Sequence, residues 1–176
     1  MGGGISLRYA MLKDRLATDG FLLFAPLLGQ NTPTYPEASS SESKSEPFLK
    51  IHIQRLIGLK ILNSIGEHRH DALDVLFFNV PKNAPVKTYT YRASESMSPA
   101  DYKEGLKAVK EPLLVLVGSR DEAFNAKAFE DAVESNSEGE VSLVEGATHN
   151  GIRHDPQAMR LIREWLAAKI IRQPKS

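Results

Sequence analysis

Short runs of uninterrupted apolar residues constrain the fold of this chain more than any other feature. Residues 21–25 and 113–117 are such runs, closed by Pro26 and Gly118, and residues 141–144 form a third segment of strand length. A strand that is apolar without alternation is typical of a parallel sheet, because both of its faces are buried. The sequence therefore predicts about three parallel strands.

Helical segments separate these strands along the chain. Apolar residues recur at helical spacing, or a proline follows a capping residue, at four places. We expect helices over residues 5–16, from Ser98 and Pro99 to about residue 109, around residues 129–133, and from Asp155-Pro156 to about residue 166. Strands that alternate with helices imply right-handed parallel crossovers. The fold class is therefore predicted to be α/β, with flanking helices on a parallel sheet.

A polar insertion interrupts this alternation. Residues 29–47 are mostly polar, and residues 39–45 are all serine, glutamate or lysine, which is typical of a solvated loop. Residues 48–65 then predict one or two helices with an apolar face. We therefore divide the chain into residues 1–35, an inserted helical lid over 36–100, and a second α/β part over 101–176.

Composition excludes several classes of function. Lys plus Arg and Asp plus Glu both number 22, so no basic excess favours nucleic acid or an acidic membrane. The chain has no cysteine, and therefore neither disulfides nor thiolate ligands. It has neither a long apolar run nor the charged and apolar regions of a signal peptide. We expect a cytoplasmic, soluble chain with no cofactor and no metal.

Two residues with catalytic potential follow neighbouring strands. Asp121 lies in the turn after 113–117, and His149 lies in the loop after 141–144. Functional groups of parallel sheets gather beyond the carboxyl ends of the strands, so the two side chains are expected to lie within hydrogen-bond reach. A carboxylate that orients a histidine makes the imidazole an effective general base. A cap on the next helix and an ordinary loop histidine are the alternative interpretation.

The segments around these residues resemble a known family. The stretch LLVLVGSRDEAF over residues 113–124 is similar to the acid turn of α/β-hydrolases of the lysophospholipase and serine-aminopeptidase-like type. GATHNG over 146–151 resembles their histidine loop, and residues 21–26 resemble their sixth strand, after which a lid is inserted. The resemblance implies a catalytic triad, with Asp121 as the acid, His149 as the base, and an acyl-serine intermediate.

The resemblance also assigns the first residues of the chain to a motif of the family. The nucleophile of this family lies in a Gly-x-Ser-x-Gly turn between a strand and a helix. Met1 and Gly2 resemble the last two residues of that turn, so the nucleophile is expected to be absent from this chain. Ser6 lies inside the predicted helix and is not expected to replace it. A glycine-rich start unrelated to catalysis is the alternative.

Other candidate residues are weaker. His154 is the second choice for the base and Glu122 for the acid, whereas His52 is expected to pack within the lid. His68 and His70 flank an arginine without a third ligand nearby, which favours a surface turn over a metal site. The apolar stripe from Leu49 to Leu62 fits ordinary packing, cover for an acyl pocket, or contact with a lipid surface.

Two classes of function remain open at the level of sequence. The first is a serine hydrolase of carboxylic esters, such as lysolipids or monoacylglycerols, of which these 176 residues are an inactive part. The second is a non-catalytic truncated product or interaction module on a hydrolase scaffold. In either case the sixth strand would leave an unpaired edge, suited to self-association or to an N-terminal partner segment.

Overall fold

A computed structural model of the chain describes residues 2–29, 32–35 and 49–171. The serine-rich segment and Met1 lie outside these described residues. The chain divides into two compact units, one made of Met1–Glu37 with Ser98–Ser176 and the other of Ala38–Met97. The helices and strands are, in chain order, α1 (Gly2–Ala10), β1 (Phe21–Phe24), β2 (Leu49–Ile51), α2 (Ile53–Ser64), β3 (Asp74–Phe78), β4 (Thr88–Thr90), α3 (Tyr91–Ser96), α4 (Tyr102–Lys107), β5 (Leu113–Gly118), α5 (Phe129–Glu134), β6 (Glu140–Val144) and α6 (Pro156–Leu166).

The first unit is built on a three-stranded parallel sheet in the order β1-β5-β6. The central strand, β5, is buried at all six positions, as its uninterrupted apolar sequence predicts. Phe21 lies opposite Leu113 on one side of β5, and Leu114 lies opposite Glu140 on the other. The prediction of an α/β fold with about three parallel strands is therefore confirmed.

Helices cover both faces of this sheet. Alternate residues of β5 enter two separate apolar clusters, because successive side chains of a strand point to opposite faces. Val115 and Val117 pack with α1, α4 and α5, whereas Leu114 and Leu116 pack with Ala147, Ile152 and α6. The result is a three-layer arrangement in which the sheet is the middle layer. Among the described residues, no helix has the length and apolar character needed to cross a bilayer.

Two helices differ from their predicted bounds. The first ends at Ala10 rather than near residue 16, and Leu16 is exposed. Beyond the end of the helix, the Arg15 guanidinium forms an ion pair with Glu111, far away in sequence. The helix predicted from Ser98 begins only after Asp101, whose carboxylate accepts the Lys103 N–H at 2.8 Å. The first helix is thus shorter than its apolar spacing predicts, and the second starts at the local cap that Asp101 provides.

The second unit contains strands that the sequence did not predict. Helix α2 lies within the segment expected to be helical, but β2, β3 and β4 form an antiparallel sheet beside it in its own unit. Leu59 of α2 packs with Val75 of β3 and with Tyr91. The insertion is therefore mixed α and β rather than helical alone. Its role as a lid remains a prediction.

Leu116 offers a direct check on the sheet as the stabilising layer. It is fully buried in the central strand, so Leu116→Ala removes apolar contacts and leaves a cavity. We expect the free energy of unfolding to fall by about 3 kcal/mol, as for other buried leucines. Urea unfolding measures this change. The exposed Leu16→Ala should change it by less than about 0.5 kcal/mol, and equal losses in both variants would contradict the assigned core.

Candidate active site

The loops that follow β5 and β6 are bonded to each other at the carboxyl edge of the parallel sheet. The Ser119 N–H donates to the Val144 carbonyl at 2.9 Å, and the Ser119 hydroxyl accepts the Gly146 N–H at 2.8 Å. The Arg120 N–H donates to the Ala147 carbonyl at 3.0 Å. These three bonds join the loop that carries Asp121 to the loop that carries His149.

Two glycines allow the loops to approach so closely. A Cβ atom on Gly118 would lie 2.2 Å from the Ala147 carbonyl oxygen, so only glycine fits at the end of β5 without displacing the backbone. Gly146 has a φ of 74°, in the left-handed region that glycine adopts at little cost. Glycine at these two positions therefore permits the close contact of the two loops.

Asp121 is a buried carboxylate whose two oxygens have separate functions. Oδ1 accepts the N–H groups of Ala123 and Phe124, at 2.8 and 2.9 Å, and this fixes the rotamer of the side chain. Oδ2 lies 2.9 Å from Nδ1 of His149. The Asp121 side chain is 0% exposed and that of His149 is 20% exposed. A desolvated carboxylate is therefore aimed at one nitrogen of a partly accessible imidazole.

This hydrogen bond selects the tautomer of His149. A carboxylate only accepts, so neutral His149 carries its proton on Nδ1 and its basic lone pair on Nε2. The Phe124 ring meets the imidazole edge-on, with 5.3 Å between ring centroids. The imidazole is thus held by a hydrogen bond at Nδ1 and by an aromatic contact with Phe124. Such an arrangement lets Nε2 take up a proton while Asp121 stabilises the imidazolium.

Glu122 does not take the place of the acid, for which the sequence offered it as the second choice. Its carboxylate accepts the backbone N–H of His149 at 3.0 Å and thereby holds the histidine loop, while Asp121 bonds the ring. The aromatic contact of Phe124 was also missed, although Phe124 lies only three residues after Asp121. Its closeness to His149 comes from the joining of the two loops, which sequence spacing alone does not reveal.

The Glu122 contact can be tested with two variants. Glu122→Ala removes the acceptor, whereas Glu122→Gln retains an oxygen that can accept the same N–H. An exposed hydrogen bond of this kind is worth about 1 kcal/mol, so the His149 amide should exchange its hydrogen about fivefold faster in the alanine variant. Hydrogen exchange followed by NMR measures the rate. Identical rates in the alanine variant and the unmodified chain would show that Glu122 does not hold the loop.

An aromatic cluster supports the acid turn. Phe124 meets the rings of Tyr35 and Phe129 edge-on, with centroids 6.3 and 6.1 Å apart. The backbone N–H of Asn125 donates to the Thr34 carbonyl at 2.8 Å, which fixes the segment carrying Tyr35. Burial raises the pKa of the Tyr35 hydroxyl, so this side chain is neutral at physiological pH. The Phe124 ring therefore packs against the rings of Tyr35, Phe129 and His149.

The first helix begins beside the same edge of the sheet. A Cβ atom on Gly3 would lie 2.3 Å from Cβ of Pro26, which follows β1. The start of α1 therefore lies against the segment that leaves the carboxyl end of β1. Of the two residues assigned to a former nucleophile turn, Gly2 is the first residue of α1 and Met1 lies outside the described residues. Ser6 donates its hydroxyl to the Gly2 carbonyl within α1, at 3.0 Å.

The other candidate histidines have surroundings different from those of His149. His154 is exposed at the end of the short 3₁₀ turn Gly151–His154. His52 caps α2 by accepting the Arg55 N–H, and His68 bonds Asn63 and Asp71. Across residues 2–29, 32–35 and 49–171, no group of three His, Cys, Asp or Glu side chains is arranged to hold a metal ion.

Comparison with known proteins identifies the fold. No family model matches the sequence, and no curated protein matches it. Among solved structures, the chain is similar to a monoacylglycerol lipase of Paleococcus ferrophilus, with a TM-score of 0.56 and 17% identity over 94% of this chain. It is also similar to a candidate non-heme bromoperoxidase of Mycobacterium tuberculosis, with a TM-score of 0.53 and 14% identity over 96% of this chain.

This chain spans 65% and 64% of the lengths of those two proteins. At such low identity the likeness concerns the fold alone. The parallel sheet with its flanking helices matches the C-terminal part of the α/β-hydrolase fold. The resemblance that the sequence motifs indicated is therefore confirmed at the level of fold, and the catalytic roles of Asp121 and His149 remain predictions.

Proposed function

We propose that this chain, whose fold is the C-terminal part of an α/β-hydrolase, supplies the acid and the base of a serine hydrolase that cleaves carboxylic esters. The observation that carries the proposal is the 2.9 Å contact between the buried Asp121 carboxylate and Nδ1 of His149. The two backbone bonds at Oδ1 are ones that a capping aspartate also makes, but a cap needs no second oxygen buried against an imidazole nitrogen. The pair is built as a base and its orienting acid.

The reaction would follow the order of proton transfers that this geometry allows. Nε2 of His149 accepts the proton of a serine hydroxyl as the serine oxygen attacks the ester carbonyl. The imidazolium, stabilised by Asp121, then gives that proton to the departing alcohol and leaves an acyl-serine. Water adds to the acyl-serine by the same two transfers, which releases the carboxylic acid and restores the serine.

The serine is proposed to lie in polypeptide that precedes α1. The close contact of Gly3 with Pro26 supports this proposal, because it holds the start of α1 at the edge of the sheet where Asp121 and His149 lie. A residue delivered just before α1 would therefore face that edge. A fluorophosphonate probe tests the chain as it is: no serine should be labelled. Stoichiometric labelling of any serine in these 176 residues would contradict the proposal.

The substrate class follows from chemistry and from one structural relative. The similar protein from Paleococcus ferrophilus is a monoacylglycerol lipase, which supports acyl esters, including monoacylglycerols and lysolipids, as the class to test first. The coding sequence immediately upstream of Met1 gives an independent check. A Gly-x-Ser codon series in frame, after codons for a strand, is expected there. Its absence would leave the histidine without a nucleophile and remove the hydrolase proposal.

The open edge of β1 favours a second role, in which the chain binds a further polypeptide strand along this edge. Among the described residues, β1 pairs with β5 on one side only. A groove of about 400 Å³ lies there, lined by Ile5, Tyr9 and Gly20 together with residues of β1. Because α1 leads directly into β1, a strand ending at the start of α1 would lie parallel to β1 under the right-handed crossover rule. We propose that such an upstream strand covers the edge.

Size-exclusion chromatography with light scattering, and hydrogen exchange, test this role. In the monomeric 176-residue chain the outward amides of Leu22 and Phe24 should exchange rapidly, and self-association through this edge should slow their exchange. A monomer in which these two amides exchange as slowly as those of β5 would contradict an open edge. The measured mass also distinguishes a second copy of the chain from an upstream strand at this edge. A second copy doubles the mass of the 176-residue chain, whereas an upstream strand can cover the edge only in a longer protein that includes it.

A further inference from the structure

Residues 32–35, which we call the threonine turn, form a tightly bonded turn after β1. The Tyr35 N–H donates to the Thr32 carbonyl at 3.2 Å, and Pro33 occupies the second position, where its fixed φ favours a β-turn. Thr32 and Thr34 are buried, and their hydroxyl oxygens lie 3.1 Å apart, so that one hydroxyl donates to the other. The turn is therefore held through its side chains as well as through its backbone.

The threonine turn is joined to the end of the segment that carries Asp121. The Asn125 N–H donates to the Thr34 carbonyl at 2.8 Å. The rings of Tyr35 and Phe124 meet edge-on, with 6.3 Å between their centroids. Because Phe124 and Asn125 are consecutive, the hydrogen bond restrains the backbone beside Phe124 while Tyr35 restrains its ring. The position of the Phe124 ring therefore depends on the threonine turn.

Phe124 in turn contacts both members of the Asp121–His149 pair. Its backbone N–H donates to Oδ1 of Asp121 at 2.9 Å. Its ring meets the His149 ring at an interplanar angle of 65°, with 5.3 Å between centroids. The hydrogen bond to Asp121 restrains Nδ1 of the imidazole, whereas the direction of Nε2 depends on the whole ring plane. Packing against a fixed neighbour is what locks such a side chain in one rotamer.

We infer that the threonine turn positions His149, because Tyr35 holds the ring of Phe124 and Phe124 fixes the plane of the imidazole. Tyr35 is a positioning residue that acts through Phe124. The consequence for catalysis rests on the proposed function, in which Nε2 takes a proton from a serine, and a displacement of about 1 Å at such a group costs roughly 100-fold in rate. The alternative is that Tyr35 only fills space beside the sheet, and it predicts a loss of stability without any change at His149.

The first test observes His149 directly in the 176-residue chain. Three-bond scalar couplings measured by NMR show whether a side chain occupies one χ1 rotamer or averages over several. One rotamer of His149 is expected in the unmodified chain and in Tyr35→Phe, which keeps the ring. Averaging is expected in Tyr35→Ala and in Phe124→Leu. Adding Tyr35→Ala to Phe124→Leu should cause no further averaging, because Tyr35 acts through the ring already removed.

Tyr9→Ala is the matched control for Tyr35→Ala. Tyr9 is also half-buried and packs against the same apolar cluster as Phe124, but it lies beside Phe21 at the amino end of β1. This variant should keep one rotamer of His149, and circular dichroism checks that each variant is folded. Identical couplings in Tyr35→Ala and the unmodified chain overturn the inference. Equal averaging in Tyr9→Ala also overturns it, because that result would reflect general loosening of the unit.

The second test measures hydrolysis of a p-nitrophenyl ester by the protein extended with its upstream coding sequence. Tyr35→Ala should lower kcat about tenfold and leave KM nearly unchanged, because the misplaced group acts in the transition state. Tyr35→Phe should retain the activity. Ester hydrolysis together with an unchanged His149 rotamer in Tyr35→Ala rejects the inference and leaves the proposed function intact. Averaging of His149 in Tyr35→Ala, in a protein that hydrolyses no ester, supports the positioning and rejects the proposed function.

Discussion

Replacing Asp121 by asparagine is expected to move the proton of neutral His149 from Nδ1 to Nε2. The oxygen of the new side-chain amide would still accept the N–H groups of Ala123 and Phe124, as Oδ1 of Asp121 does. The NH₂ group of that amide would then face Nδ1 of His149 and require a lone pair there. Long-range ¹H–¹⁵N NMR spectra distinguish the two tautomers. The change turns the basic nitrogen into a donor, so ester hydrolysis by an enzyme containing the nucleophile should fall by about 10⁴-fold.

Asp131→Asn is the matched control for this prediction. Asp131 is exposed on α5, and its carboxylate accepts the Ser135 hydroxyl at 3.2 Å. The same change of one oxygen to nitrogen there should leave the His149 tautomer as it is. An unchanged tautomer in Asp121→Asn would mean that the carboxylate does not select the proton position, and the assignment of Asp121 as the orienting acid would fail.

Gly118→Ala is expected to cause the largest loss of stability of any single methyl addition in the parallel-sheet unit. The new Cβ would lie 2.2 Å from the Ala147 carbonyl oxygen and 2.7 Å from its carbon, and both atoms belong to the backbone. Backbone cannot rotate away as a side chain can, so β5 and the histidine loop must separate. We expect the free energy of unfolding to fall by about 3 kcal/mol, and urea unfolding measures it.

Separation of the loops should also break the Asp121–His149 contact. The Arg120–Ala147 hydrogen bond lies beside the clash, and the Asp121–His149 contact depends on the same loop spacing. Gly58→Ala is the control, because a Cβ atom there meets nothing within 4 Å and Gly58 lies inside α2. That variant should be stabilised by up to about 1 kcal/mol through helix propensity. Similar stability of the two variants would contradict the close approach at Gly118.

The sheet could be predicted because its central strand carries a clear pattern. Residues 113–117 are apolar without interruption, which is typical of a strand buried on both faces, and β5 occupies that position. The order of strands and helices then brings the ends of β5 and β6 to one edge. The proximity of Asp121 and His149 followed from that order and from the general geometry of parallel sheets. The proximity of two residues distant in sequence could thus be predicted from local pattern and from the handedness of parallel crossovers.

The insertion could not be predicted in the same way. Strands β2 and β4 have three residues each, and at that length no periodicity is measurable. They are stabilised by pairing with β3 rather than by their own sequence pattern. The Arg15–Glu111 ion pair likewise joins residues 96 positions apart, which local pattern does not reveal. Glu122 was weighed as an acid, and its bond to the His149 backbone becomes visible only with the loops in place.

The central claim is that His149, oriented by Asp121, is the base of an esterase. Its most direct test is the hydrolysis of a p-nitrophenyl ester by the protein extended with its upstream coding sequence. His149→Gln should lower the rate by at least about 10³-fold, as loss of a triad base does in serine hydrolases, while His154→Gln in the exposed 3₁₀ turn keeps the activity. Full activity of His149→Gln, or loss confined to His154→Gln, would contradict the assignment.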